Sequence, residues 1–299
     1  MKKCIAFLLA AVFLTAGPPP EQAQPLKPNS DHLLFYQDFI LKKMDDFSVS
    51  SVDRFSDKIN SLIDTYLGTD NRVFYAVIPD KEYFVRDQVD HPFDYIQMES
   101  HLKNAIHAQY TPLFDALSLE DYYRYDLHWR QENLQEVVNV LGNALDFRVD
   151  LSDFEVKTYP SAIGAYARDN ENLTENLAYL TNAWTEQCVV DNFQDQAFTK
   201  VYNLEKLHSK TSYDVFLSGV SPLITLKNPQ AKNERRLILF RDSFASSLAP
   251  LLIGEYAEIT LIDLRFLMSD QLSELVDFSG ADVLFLYCAD VVNHSRILR

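Results

Sequence analysis

Leu237-Ile238-Leu239-Phe240-Arg241-Asp242-Ser243-Phe244-Ala245 passes within one short stretch from an apolar strand to the opening of a helix. The run from Leu237 to Phe240 is continuously apolar, as in a strand covered on both faces, and the spacing predicts a helix from Ser243 to Gly254. The alternation continues with a strand from Glu258 to Ile262, a helix from Ser269 to Val276 and a strand from Val283 to Cys288. Strands alternating with helices imply an α/β fold with a central parallel sheet and helices on both faces. Such sheets place ligands at the carboxyl ends of their strands. Ser243 falls just beyond such an end, near a helix start whose N–H groups can help stabilise an oxyanion.

Upstream, Val52, Phe55, Ile59, Leu62, Ile63 and Tyr66 fall at helical spacing, with Gly68 just past the end. Val73 to Ile78, between Asn71 and Pro79, reads as a buried strand. Helices are expected from Phe93 to Ala108, with Ile96, Leu102 and Ile106 on the apolar face, and from Gln131 to Leu145. Residues 146–232 look irregular, with a helix expected from Asn170 to Leu180, and read as an insertion that packs over the working face.

With 299 residues and 47% hydrophobic composition, the chain can bury a full core. A formal charge of −16 argues against nucleic acid and against an anionic membrane surface as partners. The start, Met1-Lys2-Lys3 followed by Cys4 to Ala16 and Gly17-Pro18, has the layout of a secretory leader over residues 1–16, with cleavage expected near Ala16 or Ala23. An uncleaved leader would serve as a membrane anchor. Residues 17–30 read as a linker, and 31–299 as one domain. An extracytoplasmic location follows from that leader. Cys188 and Cys288 then remain, either paired or, as the apolar run ending in Cys288 favours, as buried thiols.

Tyr122-Tyr123-Arg124-Tyr125-Asp126-Leu127-His128-Trp129 supplies a carboxylate and an imidazole two residues apart. In an extended segment both would point to the same side, with Leu127 facing away. A serine attacks a carbonyl carbon when an imidazole takes its proton and a carboxylate fixes the imidazole tautomer. Asp126, His128 and Ser243 are therefore the candidate triad. An Asp-x-His pair by itself is more often structural, and Asp242 beside Ser243 is an ordinary helix cap. His32, His91, His101, His107, His208 and His294 show no metal-ligand spacing, and no metal, cofactor or phosphate-loop motif is present in the sequence.

Several blocks together resemble the DHHW protein family and, more distantly, the SGNH-hydrolase-like domain of bacterial alginate O-acetyltransferases. Ile78-Pro79-Asp80-Lys81 is similar to the family's Ile-Pro-Asn-Lys, and Tyr122 to Arg130 to its Tyr-Tyr-Arg-Thr-Asp-His-His-Trp-Thr. Tyr213 to Gly219 resembles Tyr-x-x-Phe-Leu-x-Gly, and Arg241-Asp242-Ser243-Phe244-Ala245 resembles Lys-Asp-Ser-Tyr-Ala, followed by Pro250-Leu251-Leu252 and Ile262-Asp263-Leu264-Arg265. This resemblance implies an SGNH-hydrolase-like, flavodoxin-like three-layer sandwich, with Ser243 as nucleophile, His128 as base and Asp126 as its orienter. Leu127, Arg130, Asp80 and Tyr125 depart from the pattern, while the Asp-x-His arrangement survives.

Other residues carry two readings each. Arg124 and Arg241 hold an anionic group or pair with nearby carboxylates. Trp129 stacks on a sugar or packs in the core. Gly164 brings backbone N–H groups close to an oxyanion, a part that the amide of Asn293 would otherwise take. The leading expectation is transfer of an acetyl group through acyl-Ser243 to a hydroxyl of an envelope or secreted polysaccharide, with a membrane-bound acyltransferase implied as donor. A carbohydrate esterase would use the same triad. A glycan-binding scaffold on a degenerate hydrolase fold is the alternative without catalysis.

Overall fold

The computed structural model describes residues 25–30, 32–167 and 173–299. The expected leader over residues 1–16 and residues 17–24 of the linker lie outside the described residues, as does Asp31.

The elements in chain order are strands β1 (Leu33–Tyr36) and β2 (Phe39–Lys42), helix α1 (Val49–Tyr66), β3 (Arg72–Ile78), α2 (Tyr95–Ala105), β4 (Gln109–Tyr110) and α3 (Gln135–Leu145). There follow β5 (Glu155–Ile163), β6 (Thr174–Thr181), α4 (Ala183–Gln187), β7 (Val189–Asn192), β8 (Leu223–Lys227) and β9 (Arg236–Arg241). The chain ends with α5 (Ala245–Leu252), β10 (Glu258–Ile262), α6 (Leu272–Leu275), β11 (Asp282–Cys288) and α7 (Ala289–Asn293).

A seven-stranded sheet in the order β4-β3-β11-β9-β10-β8-β7 forms the centre. Its first five strands are parallel, whereas β8 runs antiparallel to β10 and β7 antiparallel to β8. The mostly parallel α/β sheet matches the sequence expectation. Every residue of β11 is buried, as a central strand covered on both faces requires. Phe240 on β9 and Phe285 on β11 are register partners, and their rings stack at 4.6 Å.

The register puts the ends of β3, β11, β9 and β10 on one edge, so Asp80, Asp290, Asp242 and Asp263 all emerge at the carboxyl edge within two residues of their strands. At the opposite edge Asp282 ties three segments together. Arg72 donates to it from Nε at 2.7 Å and Nη2 at 2.8 Å, Arg235 from Nη2 at 3.1 Å and Tyr256 from its hydroxyl at 3.3 Å. Both guanidinium groups also donate to the carbonyl of Leu145, where the end of α3 favours positive charge.

Three expectations change in the structure. Residues 174–181 form a strand rather than the second half of a helix, pairing antiparallel with β5 from Glu155↔Thr181 to Ile163↔Thr174. Leu177, Ala178, Tyr179 and Leu180 suit either state locally, and the partner strand decides. Ile96 on α2 points to solvent at 76% exposure, while Met98 and Leu102 take the core face. Within residues 146–232, β7 and β8 belong to the main sheet itself.

Asp282→Ala removes the shared acceptor of two arginines and a tyrosine, and is expected to lower unfolding free energy by about 1–3 kcal/mol. Denaturant titration against wild type measures it, and Asp282→Asn should lose less.

Candidate active site

Asp126, His128 and Ser243 meet in one hydrogen-bonded chain. Asp126 Oδ1 lies 2.6 Å from His128 Nδ1, and His128 Nε2 lies 2.7 Å from Ser243 Oγ, across 115 residues of sequence. An ionised carboxylate accepts but does not donate, so Nδ1 carries the proton toward Asp126 and Nε2 is left as acceptor for the serine hydroxyl. Asp126 and His128 are buried; Ser243 is half-buried.

The segment is not extended, as the two-residue spacing had suggested. Residues 124–128 bend, closed at their base by the bridge between Tyr122 and Trp129 and by Tyr123 N–H donating to the His128 carbonyl at 3.0 Å. Asp126 Oδ1 also accepts the His128 backbone N–H at 3.0 Å, so an Asx-type turn brings carboxylate and imidazole together. Its other oxygen, Oδ2, accepts the Ala165 N–H at 2.6 Å. Burial alone would raise the Asp126 pKa. The charge of a protonated His128 and the hydrogen bonds from its ring, its N–H and Ala165 outweigh burial and hold the carboxyl at about 2.

The backbone before Asp126 is fastened on both sides. Glu175 on β6 accepts the N–H groups of Arg124 at 2.9 Å and Tyr125 at 2.8 Å. Lys81 donates to the carbonyls of Tyr123 at 3.0 Å and Arg124 at 3.3 Å. The Tyr125 carbonyl accepts the Tyr166 N–H at 3.0 Å.

The imidazole is held between aromatic rings. Tyr213 stacks flush on it, centroids 3.7 Å apart and planes within 1°, and Phe244 packs at 4.9 Å. Trp129 Nε1 donates to the Phe244 carbonyl at 3.0 Å and to Ser247 Oγ at 2.9 Å, while the Tyr213 hydroxyl bonds Ser247 Oγ at 2.8 Å. The two aromatic residues flanking the imidazole, one in sequence and one in space, are thus fixed to the helix that follows the serine. On the serine side, Asp242 Oδ1 accepts the Phe244 N–H at 3.0 Å and Oδ2 the Cys288 N–H at 2.7 Å, tying the turn to the end of β11.

The remaining residues singled out by sequence fall elsewhere. Arg124 pairs with Asp38 at 2.9 Å on the surface. Arg241 is fully buried 3.7 Å from Asp263, and burial lowers its pKa despite that carboxylate; neither it nor Trp129, with no exposed surface, is placed to touch a substrate. A Cβ on Gly164 would stand 2.2 Å from the Tyr125 carbonyl oxygen, so the close approach there is to the segment bearing Asp126, and the adjacent Ala165 N–H serves the carboxylate rather than an oxyanion. The Asn293 amide is occupied, accepting from Ser48 N–H at 2.8 Å and donating to the Asp46 carbonyl at 3.0 Å. The N–H groups of Phe244, Ala245 and Ser246 bond oxygens of Asp242 and Ser243 within the turn that opens the helix. Cys188 and Cys288 are separate buried thiols. Among the described residues no group of three or more His, Cys, Asp or Glu side chains could hold a metal ion.

Sequence reasoning assigned no role to Tyr213, Lys81 or Glu175. Tyr213 and Lys81 did stand inside quoted motif blocks, which was the available signal.

No family model matches the chain, and no curated protein matches it in sequence. Among solved structures, a DHHW family protein from Eubacterium siraeum superposes with a TM-score of 0.74 at 16% identity, covering 90% of this chain and 94% of that one. PatB1 of Bacillus cereus with a sulfonyl adduct gives 0.66 at 18% identity over 87% of this chain and 97% of its own. The O-acetyltransferase domain of Pseudomonas putida AlgJ gives 0.50 at 12% identity over 90% and 92%. The chain shares the fold of the DHHW structure and the O-acetyltransferase domain that its motifs resemble.

Gly164→Ala is expected to push Tyr125 and Asp126 apart from residues 164–166 and lower the thermal midpoint by several degrees, roughly 1–3 kcal/mol. Asp126 is depressed from 3.8 to about 2 on folding, so its contribution is complete above pH 4 and is lost as pH falls through about 2. Acid titrations of stability should therefore show wild type losing about 2 kcal/mol more than Asp126→Asn across that window.

Proposed function

We propose that this protein is a serine-dependent acyl transferase acting outside the cytoplasm, moving an acetyl group through acyl-Ser243 to a hydroxyl of a polysaccharide. The observation that carries this reading is the unbroken chain from Asp126 through His128 to Ser243 Oγ at 2.6 and 2.7 Å. Ser243 Oγ attacks the acyl carbonyl as His128 Nε2 takes its proton. The tetrahedral adduct collapses, the donor's oxygen leaves with that proton, and acyl-Ser243 remains. His128 then deprotonates the acceptor hydroxyl, which attacks the ester; collapse releases the acylated acceptor and returns the proton to Ser243. Asp126 holds the imidazole tautomer and balances the imidazolium in both halves.

Acetyl as the group and a glycan as acceptor are supported by the motif resemblance and by the fold shared with the O-acetyltransferase domain of AlgJ. The location is supported by the leader-like start, and among the described residues no helix is long and apolar enough to cross a membrane. Within this reading the fold is an SGNH-hydrolase-like three-layer sandwich, residues 31–299 are its single domain, and a membrane-bound acyltransferase is the donor. Water as acceptor would make the same triad an esterase.

Two measurements test the proposal. Phenylmethylsulfonyl fluoride should add one sulfonyl group to wild type and none to Ser243→Ala, read by intact mass. On p-nitrophenyl acetate, Ser243→Ala and His128→Ala should lose about 10³-fold or more, and Asp126→Asn about 10³–10⁴-fold. No labelling together with turnover indifferent to these changes would sink the reading. With oligosaccharide acceptors present, acetylated sugar marks transfer and free acetate alone marks hydrolysis.

A further inference from the structure

Lys81 stands three residues beyond β3 with 3% of its surface exposed. Its ammonium makes no ion pair among the described residues. It donates instead to three backbone carbonyls, those of Ile40 on β2, Tyr123 and Arg124, and faces the rings of Tyr166 at 5.1 Å and Phe39 at 5.9 Å. Three N–H groups meet three acceptors, so this arrangement is complete only in the charged form. A buried cation is costly unless its surroundings return the lost hydration.

Two of those carbonyls belong to the peptide units just ahead of Asp126. The N–H groups of the same stretch go to Glu175, so residues 123–125 are gripped between a buried cation and a carboxylate. We infer that Lys81 is a positioning residue for acyl transfer, its ammonium holding the Tyr123–Arg124 backbone so that Asp126 meets His128. This rests on the reading of the triad above, since Lys81 acts through Asp126.

Burial lowers the Lys81 pKa to about 7, against the attraction of Asp126 and Glu175. The titratable groups around it are Asp126 in the bent loop, Glu175 on β6 and Tyr166 after β5; β2 contributes the Ile40 carbonyl and the Phe39 ring. On losing its proton the amine keeps two N–H groups for three carbonyls, and its lone pair meets the third. The grip therefore weakens above neutral pH. A triad alone gives a rate that rises with pH and levels off; with Lys81 the rate declines again on the alkaline side.

The test is kcat and KM on p-nitrophenyl acetate from pH 5.5 to 9 for wild type, Lys81→Arg, Lys81→Met and Ser243→Ala, with folding checked by circular dichroism. Wild type should lose about tenfold in kcat between pH 7 and 9. Lys81→Arg, charged throughout, should abolish that decline. Lys81→Met should lower kcat more than tenfold at pH 7 with KM changed less than twofold. Should Lys81→Met fail to fold, the wild-type and Lys81→Arg profiles decide. A Ser243-dependent wild-type rate that stays level to pH 9, or an alkaline decline that persists in Lys81→Arg, overturns the inference and leaves the triad standing. Turnover unchanged in Ser243→Ala removes the acyl-transfer reading, and the role of Lys81 in it falls too.

Discussion

Asp126 is an ionised carboxylate with 4% of its surface exposed, and the site is arranged around the cost of keeping it there. Removing such a group from water costs several kcal/mol unless hydrogen bonds and opposite charge replace its hydration. The His128 ring, the His128 N–H and the Ala165 N–H do so, the first two closing the bent loop and the third tying in the segment after β5. The bent loop exists because Oδ1 must reach both groups of His128. Residue 164 is glycine because the loop that supplies the Ala165 N–H runs against the Tyr125 carbonyl. The carboxylate thus sets the shape of both loops that meet at it.

Ser243 is positioned by other means. Ser243 follows a strand held in register between β11 and β10, with apolar pairs such as Leu239↔Leu261 and Phe240↔Phe285, and Asp242 fastens the turn to the end of β11. A sheet edge thus holds the serine while a laced loop holds the imidazole. The two are joined through Ser247 and the Phe244 carbonyl, which bond Trp129, next to His128 in sequence, and Tyr213, stacked on its imidazole. Small displacements of a base relative to its nucleophile cost large factors in rate. A buried indole and a buried phenol fix this junction, so in the proposed reaction they would limit such displacements.

The parallel core was legible because buried strands read as apolar runs: β9 and β11 carry continuous ones, and β10 is apolar at Ile259, Leu261 and Ile262. Asp126 and His128 were legible as a pair, yet the spacing rule pointed to an extended strand. An Asx turn depends on a side chain bonding its own backbone, which hydropathy patterns do not register. Strand β6 was misread because Leu177 to Leu180 suits a helix until β5 lies alongside it. Lys81, Glu175 and Tyr213 owe their contacts to partners 41 or more residues away in the sequence, between Lys81 and Ile40, Tyr123 or Arg124, Glu175 and Tyr125, or Tyr213 and His128. Trp129, Gly164 and Asn293 were conspicuous as residue types, but their polar and steric capacity is spent inside the protein.

The positions where the chain departs from the DHHW pattern bear on the chemistry that remains. Leu127 packs partly buried against the core, so an apolar residue suits that position without disturbing its neighbours. Arg130 pairs with Glu132 at 3.0 Å and lies over the Tyr123 ring, bracing the loop from outside. Asp80 stands where the family carries asparagine, at the carboxyl end of β3, and accepts the Asp290 N–H at 2.9 Å. Burial and the neighbouring Asp290 hold its carboxyl well above the usual carboxylate range. A protonated carboxyl presents an O–H donor and a carbonyl acceptor, and an asparagine amide likewise presents N–H donors and a carbonyl acceptor. On that ground Asp for Asn is a conservative exchange at this position. Leu127, Arg130 and Asp80 are each accommodated by the surrounding packing, and the hydrogen bonds that join Asp126, His128 and Ser243 stay in place beside them.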